Sequence, residues 1–173
     1  MDARRRTLIR AAAHGAAWAS AAVLAGCGFK LRTAPDFAFK SIRLAAPPGS
    51  ALALELQRQL AASGKLQVLS AQQPGDVEVT LDVLREQREK VVAGVNASGQ
   101  VREFQLRLRL QFRLRGRDGR ELVEPTELLQ QRDMSFSETV ALAKEAEEAL
   151  LYRDMQADLV RQLMRRLAAL RTV

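Results

Sequence analysis

The chain has 173 residues, 47% of them hydrophobic, with 27 Lys and Arg against 20 Asp and Glu. Residues 27–173 keep 23 basic and 19 acidic side chains, a net charge of +4, so the first 26 residues account for much of the high pI and a nucleic-acid binder is not favoured. The only cysteine is Cys27 and the only histidine is His14, which excludes an intrachain disulfide and a Cys/His metal cluster.

Residues 1–26 have the three parts of a secretory signal peptide: a start rich in arginine, an Ala-rich apolar run, and small residues before a cysteine. The run Leu24-Ala25-Gly26-Cys27 is typical of a bacterial lipobox. It predicts that Cys27 becomes the mature N-terminus and carries a covalent S-diacylglycerol and an N-acyl chain such as palmitate, enough for stable membrane anchoring. The alternative is a buried cysteine on a short apolar helix.

The residues around the lipobox also bear on sorting and export. Gly28 follows Cys27, as in lipoproteins that are sorted to the outer membrane of Gram-negative bacteria. The segment at 5–10 resembles a twin-arginine export signal, and a Sec signal with extra arginines fits equally well. We therefore expect a lipid-anchored protein on the periplasmic side of the outer membrane, with residues 27–38 as its tether.

Residues 39–173 predict a single α/β domain. Ser50 is a predicted N-cap, and Leu52, Leu56 and Leu60 recur at the spacing of one helix face. The predicted elements before residue 101 are a strand at 40–44, a helix at 51–62, a short strand at 66–69 and a long strand from 77 to about 92.

The segment at 101–114 is one long predicted strand, and its residues 104–114 alternate strictly between apolar and polar. Apolar side chains occupy the even positions from Phe104 to Leu114, and Gln or Arg occupies the odd positions between them. Successive strand side chains point to opposite faces, so this strand has one apolar face and one cationic face. The Gly/Asn/Ser-rich break at 94–99 joins it to the preceding strand as an antiparallel hairpin.

The C-terminal part predicts a strand at 128–136 and a helix at about 144–169. Met155, Leu159, Leu163 and Leu167 recur at i+4 in that helix and define the face that packs on the sheet. The whole pattern predicts an α+β fold with two helices packed on one face of a mostly antiparallel sheet of four to five strands.

No catalytic motif is present in the sequence. The densest acids are Asp133 and the group Glu145, Glu147 and Glu148, which falls in the first turns of the last helix. There they complement the helix dipole, and we favour this interpretation over paired-acid catalysis. We expect a binding or structural protein that is not an enzyme and needs no cofactor and no metal.

Two segments and the hairpin between them carry a family resemblance. They read C-G-F-K-L-R at 27–32 and M-S-F-S-E-T-V-A-L-A-K-E at 134–145, with G-Q-V-R-E-F at 99–104 at the end of the hairpin break. Over its mature length the chain resembles the lipopolysaccharide-assembly lipoproteins of the LptE family. The resemblance implies a plug inside the outer-membrane barrel LptD, which helps that barrel assemble and takes part in delivering lipopolysaccharide to the cell surface.

The resemblance also implies contacts between basic residues and the phosphates of lipid A. Lys144 occupies the basic position of the A-L-A-K segment, and its alternative interpretation is a solvated lysine at a helix end. The second basic position of the family falls near Ala97, so Lys90 and Arg102, which flank the hairpin tip, are the candidates there. Two further candidates are Arg107 and Arg109, on the cationic face of the strand. That face either contacts acidic lumen residues or phosphates, or is simply solvated.

Three other classes of function remain open from the sequence. An outer-membrane lipoprotein could scaffold a different envelope complex, which co-purification with its barrel would test. A cytoplasmic nucleic-acid binder would need to retain residues 1–26 and lacks interleaved exposed aromatic residues. A hydrolase is the least supported class.

Overall fold

Five strands and two helices make up residues 35–171, the part of the chain that the structure, a computed structural model, describes. The predicted signal peptide at 1–26 and tether residues 27–34, including Cys27, lie outside the described residues. In chain order the elements are β1 (Ser41–Ala45), α1 (Ala51–Ala62), β2 (Gln67–Ser70), β3 (Val79–Val95), β4 (Val101–Gly116), β5 (Glu121–Ser135), a 3-10 turn (Glu138–Val140) and α2 (Ala141–Ala168).

The strands form one sheet in the order β2-β1-β3-β4-β5. β1 pairs in parallel with both β2 and β3, because α1 crosses over between β1 and β2, whereas β3, β4 and β5 form antiparallel pairs. The predicted α+β fold with two helices on a five-stranded sheet is confirmed. The sheet is mixed, since its N-terminal strands are joined by a helix rather than by a hairpin.

The core lies between one face of the sheet and both helices. The even-numbered side chains of β4 from Leu106 to Leu114 are buried, and the odd-numbered ones are only half-buried. Met155, Leu159 and Leu163 of α2 are fully buried in the same cluster. The faces predicted from the alternation are therefore correct. Below, the open face means the side of the sheet away from the helices.

α1 begins after the predicted N-cap, Ser50, and ends just before a glycine, Gly64. The Ser50 side chain accepts a hydrogen bond from the Ala53 N–H at 3.0 Å, which satisfies one of the free donors of the first turn. Gly64, with φ of +67°, follows the last turn in a backbone conformation that favours glycine. Leu52, Leu56 and Leu60 are fully buried.

β3 contains a bulge that the sequence pattern did not predict. Val83 pairs with Phe112 and Arg85 pairs with Gln111, so Leu84 is the additional residue. The bulge changes the phase of the strand. Before it, odd-numbered residues face the helices; after it, even-numbered residues do, beginning with Glu86 opposite Leu110.

The predicted start of β5 at 128 was wrong, since the strand begins at Glu121. β5 is an edge strand with only Leu128 and Met134 buried, so its first half has no apolar alternation. Pro125 is tolerated because it lies at a register shift of the pairing with β4, on a strand whose other edge pairs with no strand among residues 35–171.

α2 begins three residues earlier than predicted, after the 3-10 turn. From Ala141 to Leu151 none of its residues is buried, and the buried stripe begins at Tyr152. Within residues 35–171, neither helix is both long enough and apolar enough to cross a membrane.

Candidate functional site

The hairpin tip and the start of α2 come together at one end of the sheet. The Lys144 Nζ donates to Ser135 Oγ, at the end of β5, at 3.0 Å, and the Lys90 Nζ of β3 lies 2.6 Å from Glu148 Oε2. These contacts join three elements in the half of the sheet that ends at the turn at 96–100. We call this region, comprising that turn, the adjoining strand ends and residues 141–152 of α2, the distal end.

Lys90 is held between α2 and two aromatic rings. Its Nζ lies 4.4 Å from the centroid of the Phe104 ring and 6.0 Å from that of Phe136, and these rings pack edge to face with centroids 5.1 Å apart. A cation over an aromatic face is attracted by the ring quadrupole. The side chain keeps 35% of its surface exposed, so its position is fixed while its charge stays accessible to solvent.

Lys144 is more enclosed than a solvated lysine at a helix end. Its side chain is 17% exposed, and besides Ser135 it contacts Glu147 Oε2 at 2.8 Å. Glu147 and Glu148 are consecutive, so neighbouring carboxylates of one helix pair with the two predicted lysines.

Arg102 lies at the start of β4 and is exposed, while its backbone carbonyl accepts a hydrogen bond from the Phe136 N–H at 2.8 Å. The adjoining turn is closed by Asn96, whose Oδ1 accepts N–H groups from Ser98 and Gln100. Ala97 therefore lies in a tight polar turn, and the nearest basic groups are those on the flanking strands.

Arg107 and Arg109 lie on the open face, away from the lysines of the distal end. Arg109 contacts two carboxylates, Nη1 to Glu127 Oε1 at 2.8 Å and Nε to Glu89 Oε1 at 3.3 Å. Arg107 donates from Nε to Gln105 Oε1 at 2.8 Å. The structure thus brings Lys90, Lys144 and Arg102 to one end and places the other two candidates elsewhere.

The open face is internally charge-paired near the base of the hairpin. Asp82, whose side chain is 11% exposed, accepts from Arg113 Nε at 2.8 Å and from Arg115 Nε at 2.7 Å. Burial by itself raises the pKa of Asp82, but the hydrogen bonds from Arg115 and Arg113 outweigh it and hold that pKa below its ordinary value. These arginines are therefore bound within the fold.

An open groove of about 510 Å³ runs between β3 and the first turns of α2. Its lining residues are Arg88, Lys90, Glu145, Glu148, Ala149 and Tyr152. Arg88 donates from Nη2 to Gln156 Oε1 at 3.4 Å, and its guanidinium lies 5.3 Å from the centroid of the Tyr152 ring. The Tyr152 hydroxyl donates to the Glu89 backbone carbonyl at 2.7 Å, and burial, followed by the charge of Glu148, raises its pKa.

The sequence interpretation missed Arg88 as a neighbour of Lys90 in this groove. The bulge at Leu84 is the reason, since it turns Glu86, Arg88 and Lys90 toward the helices in place of the odd-numbered residues. The available signal was the pair of consecutive apolar residues, Val83 and Leu84, which interrupts the alternation of apolar and polar side chains. The sequence identified Glu148 only as one of a group of helix acids, and its pairing with β3 depends on tertiary structure.

A family model described as LptE, lipopolysaccharide-assembly, matches residues 39–167. No curated protein matches the chain. Among solved structures, the solution structure of an uncharacterized lipoprotein B from Nitrosomonas europaea is 32% identical, with a TM-score of 0.69 over 82% of this chain and 91% of that chain.

Two more distant structures share the fold. A rare lipoprotein B from Shewanella oneidensis is 21% identical, with a TM-score of 0.63 over 75% of this chain and 95% of that one. A minor lipoprotein from Acinetobacter baumannii is 20% identical, with a TM-score of 0.62 over 78% of this chain and 94% of that one.

Proposed function

Because this chain belongs to the LptE family of lipopolysaccharide-assembly proteins, we propose that it binds lipopolysaccharide and plugs the outer-membrane barrel LptD. In this role it is a non-catalytic subunit without a cofactor. It is anchored by acyl chains on Cys27 to the periplasmic side of the outer membrane, assists folding of the barrel and takes part in moving lipopolysaccharide to the cell surface.

The observation that carries the lipopolysaccharide contact is the convergence of basic groups at the distal end. Lys90 and Lys144 are far apart in sequence, yet they pair with the consecutive residues Glu148 and Glu147 of α2, and Arg102 is an exposed residue at the start of β4 in the same half of the sheet. Amine and guanidinium groups are suited to the phosphates of lipid A. A partly enclosed lysine also loses less conformational entropy on binding than a fully solvated one.

The support for a plug comes from the open face. The interior of a large outer-membrane barrel is polar, so a plug needs a polar surface that is not costly to remove from bulk water. Carboxylates of β3 and β5 already pair with Arg109 and Arg113 on this face. Such a face can be enclosed without leaving most of its charges unpaired.

A binding assay of the purified protein with lipopolysaccharide tests the ligand contact. We expect Lys144→Asp and the double variant Lys90→Asp/Arg102→Asp to bind more weakly, with a larger loss at low salt because the contacts are electrostatic. Arg120→Asp is the matched control: it makes the same charge reversal in the turn at the other end of β4, on an exposed side chain. Folded variants that bind like the wild type would contradict the phosphate contact.

Co-purification tests the plug. The wild-type protein, extracted in detergent from its native membrane, should carry LptD with it in an equimolar complex. Recovery with a different envelope complex and without LptD would favour the scaffold alternative instead.

A further inference from the structure

The groove beside β3 is lined by two cations, Arg88 and Lys90, and by two carboxylates, Glu145 and Glu148, of which only Glu148 pairs with one of these cations among residues 35–171. Arg88 and Lys90 are two residues apart on the helix-facing side of β3, so their Cα atoms are about 7 Å apart. Glu148 pairs with Lys90 at 2.6 Å. Arg88, in contrast, contacts the neutral amide of Gln156 and the ring of Tyr152, and no carboxylate pairs with it among residues 35–171.

The position of Glu148 resembles that of a bound anion. Its carboxylate lines the groove, is 23% exposed, and contacts an ammonium group that also lies over the rings of Phe104 and Phe136. The helix turns that carry Glu148 have no buried side chain before Tyr152. The carboxylate can therefore leave Lys90 by a side-chain rotation or a small shift of those turns, without opening the core.

We infer that this groove binds a phosphate monoester through Arg88 and Lys90, and that Glu148 is a built-in competitor for that phosphate. The inference rests on the proposed function, because the phosphate would belong to the lipopolysaccharide. A phosphate monoester carries a charge of about −1.5 to −2 and three acceptor oxygens, so it can bridge a guanidinium and an ammonium group that a single carboxylate does not satisfy together.

Competition by Glu148 gives the groove selectivity. A free carboxylate does not displace the Glu148 carboxylate from Lys90, because the two have the same charge and Glu148, being part of the chain, has a high effective concentration. A phosphate brings more charge and also contacts Arg88, which Glu148 leaves unneutralised. Lys144 also pairs with a carboxylate, that of Glu147, but within α2 at i,i+3, so only Lys90 has the strand-to-helix pairing described here.

The test compares Glu148→Gln with Asp154→Asn. Both remove one negative charge from α2, but Asp154 is exposed and makes no ion pair within residues 35–171. In the full-length protein in detergent, we expect Glu148→Gln to bind lipopolysaccharide about three- to five-fold more tightly than Asp154→Asn, the range set by a partly exposed ion pair. Glutamine retains the size of the side chain, and Glu148→Ala with a thermal melt confirms that the effect is not misfolding.

Further arms identify the phosphate as the group that is recognised. The gain should disappear with enzymatically dephosphorylated lipopolysaccharide and in the double variant Arg88→Gln/Glu148→Gln. If inorganic phosphate displaces lipopolysaccharide from the Glu148→Gln protein, the groove recognises phosphate irrespective of the lipid. If it does not compete, the lipid portion contributes.

The outcomes separate this inference from the proposed function. If the wild type binds lipopolysaccharide and the Glu148→Gln and Asp154→Asn variants bind it with equal affinity, Glu148 is not a competitor. The proposed function then still stands. A gain that persists on dephosphorylated lipopolysaccharide overturns the phosphate assignment. Absence of binding by both the wild type and Glu148→Gln overturns both the inference and the lipopolysaccharide contact.

Discussion

Arg115 on β4 contacts both carboxylate oxygens of Asp82 on β3, with Nε 2.7 Å from Oδ2 and Nη2 3.0 Å from Oδ1. The residue directly opposite Asp82 in the antiparallel register is Arg113, so Arg115 reaches it diagonally. A planar guanidinium bound to two carboxylate oxygens is the strongest geometry for such a pair. The contact joins β3 to β4 at the base of the hairpin.

Replacing Asp82 with Asn should lower the free energy of unfolding by about 2 kcal/mol, the usual contribution of hydrogen bonds to a charged, partly buried group. The arginines that remain are about one-third exposed and can be hydrated, which keeps the loss below that for a fully buried pair. Urea unfolding at neutral pH measures the difference. Glu124→Gln, on an exposed position of β5, is the control and should change the stability by less than about 0.5 kcal/mol.

The same carboxylate predicts the direction of acid sensitivity. The pKa of Asp82 is lower in the folded protein than in the unfolded chain, because the hydrogen bonds from the two arginines outweigh the effect of burial. Its contribution is therefore complete above the unfolded pKa of about 3.9 and is lost as the pH falls through the lower folded pKa. The stability difference between the wild type and Asp82→Asn should be constant above about pH 5 and shrink below pH 4.

Neighbouring residues of β4 should respond in opposite ways to substitution. Leu108 is fully buried, so Leu108→Asp places an unpaired charge in the core and costs several kcal/mol, about the stability of a whole domain. Arg109 forms its ion pairs on the open face, where each is worth about 0–1 kcal/mol, so Arg109→Ala should remain folded. Thermal melts followed by circular dichroism test this, and similar melting temperatures would show that the faces are wrongly assigned.

Local sequence patterns predicted most of the fold. The alternation in β4 and the i+4 leucines of α1 depend only on which side chains are buried, so their faces were correct. The start of β5 was wrong because an edge strand has little apolar alternation, and the parallel pairing of β1 was missed because strand order depends on long-range contacts.

The candidate site was predictable only in part. Lys90, Lys144 and Arg102 were identified from the sequence and lie at one end of the structure. The environment of Lys90 was not predictable, because Phe104, Phe136 and Glu148 reach it from other elements. A single bulge at Leu84 also reassigns which charged residues of β3 face the helices.

Cys27 should be the lipidated mature N-terminus, because the lipobox and the basic apolar leader agree. Cells grown with a clickable fatty acid should label the wild-type protein and should not label Cys27→Ala. Equal labelling of the two would contradict the assignment. Since the predicted lipid anchor at Cys27 and the folded domain are different parts of the chain, Cys27→Ala should still associate with the barrel when it is exported.

The two arginine candidates of the open face should differ in their contribution to partner binding. Arg109 is neutralised by Glu89 and Glu127, whereas Arg107 contacts the uncharged amide of Gln105 and has no carboxylate partner among the described residues. A guanidinium without a carboxylate partner gains more from an external anion than one that must first release two carboxylates. We therefore expect Arg107→Gln to weaken association with LptD or lipopolysaccharide about two- to five-fold, and Arg109→Gln to weaken it less. Side-by-side titrations of the two folded variants measure this, and an equal or reversed order would mean that the open face meets its partner through neutral contacts, with its arginines serving only the fold.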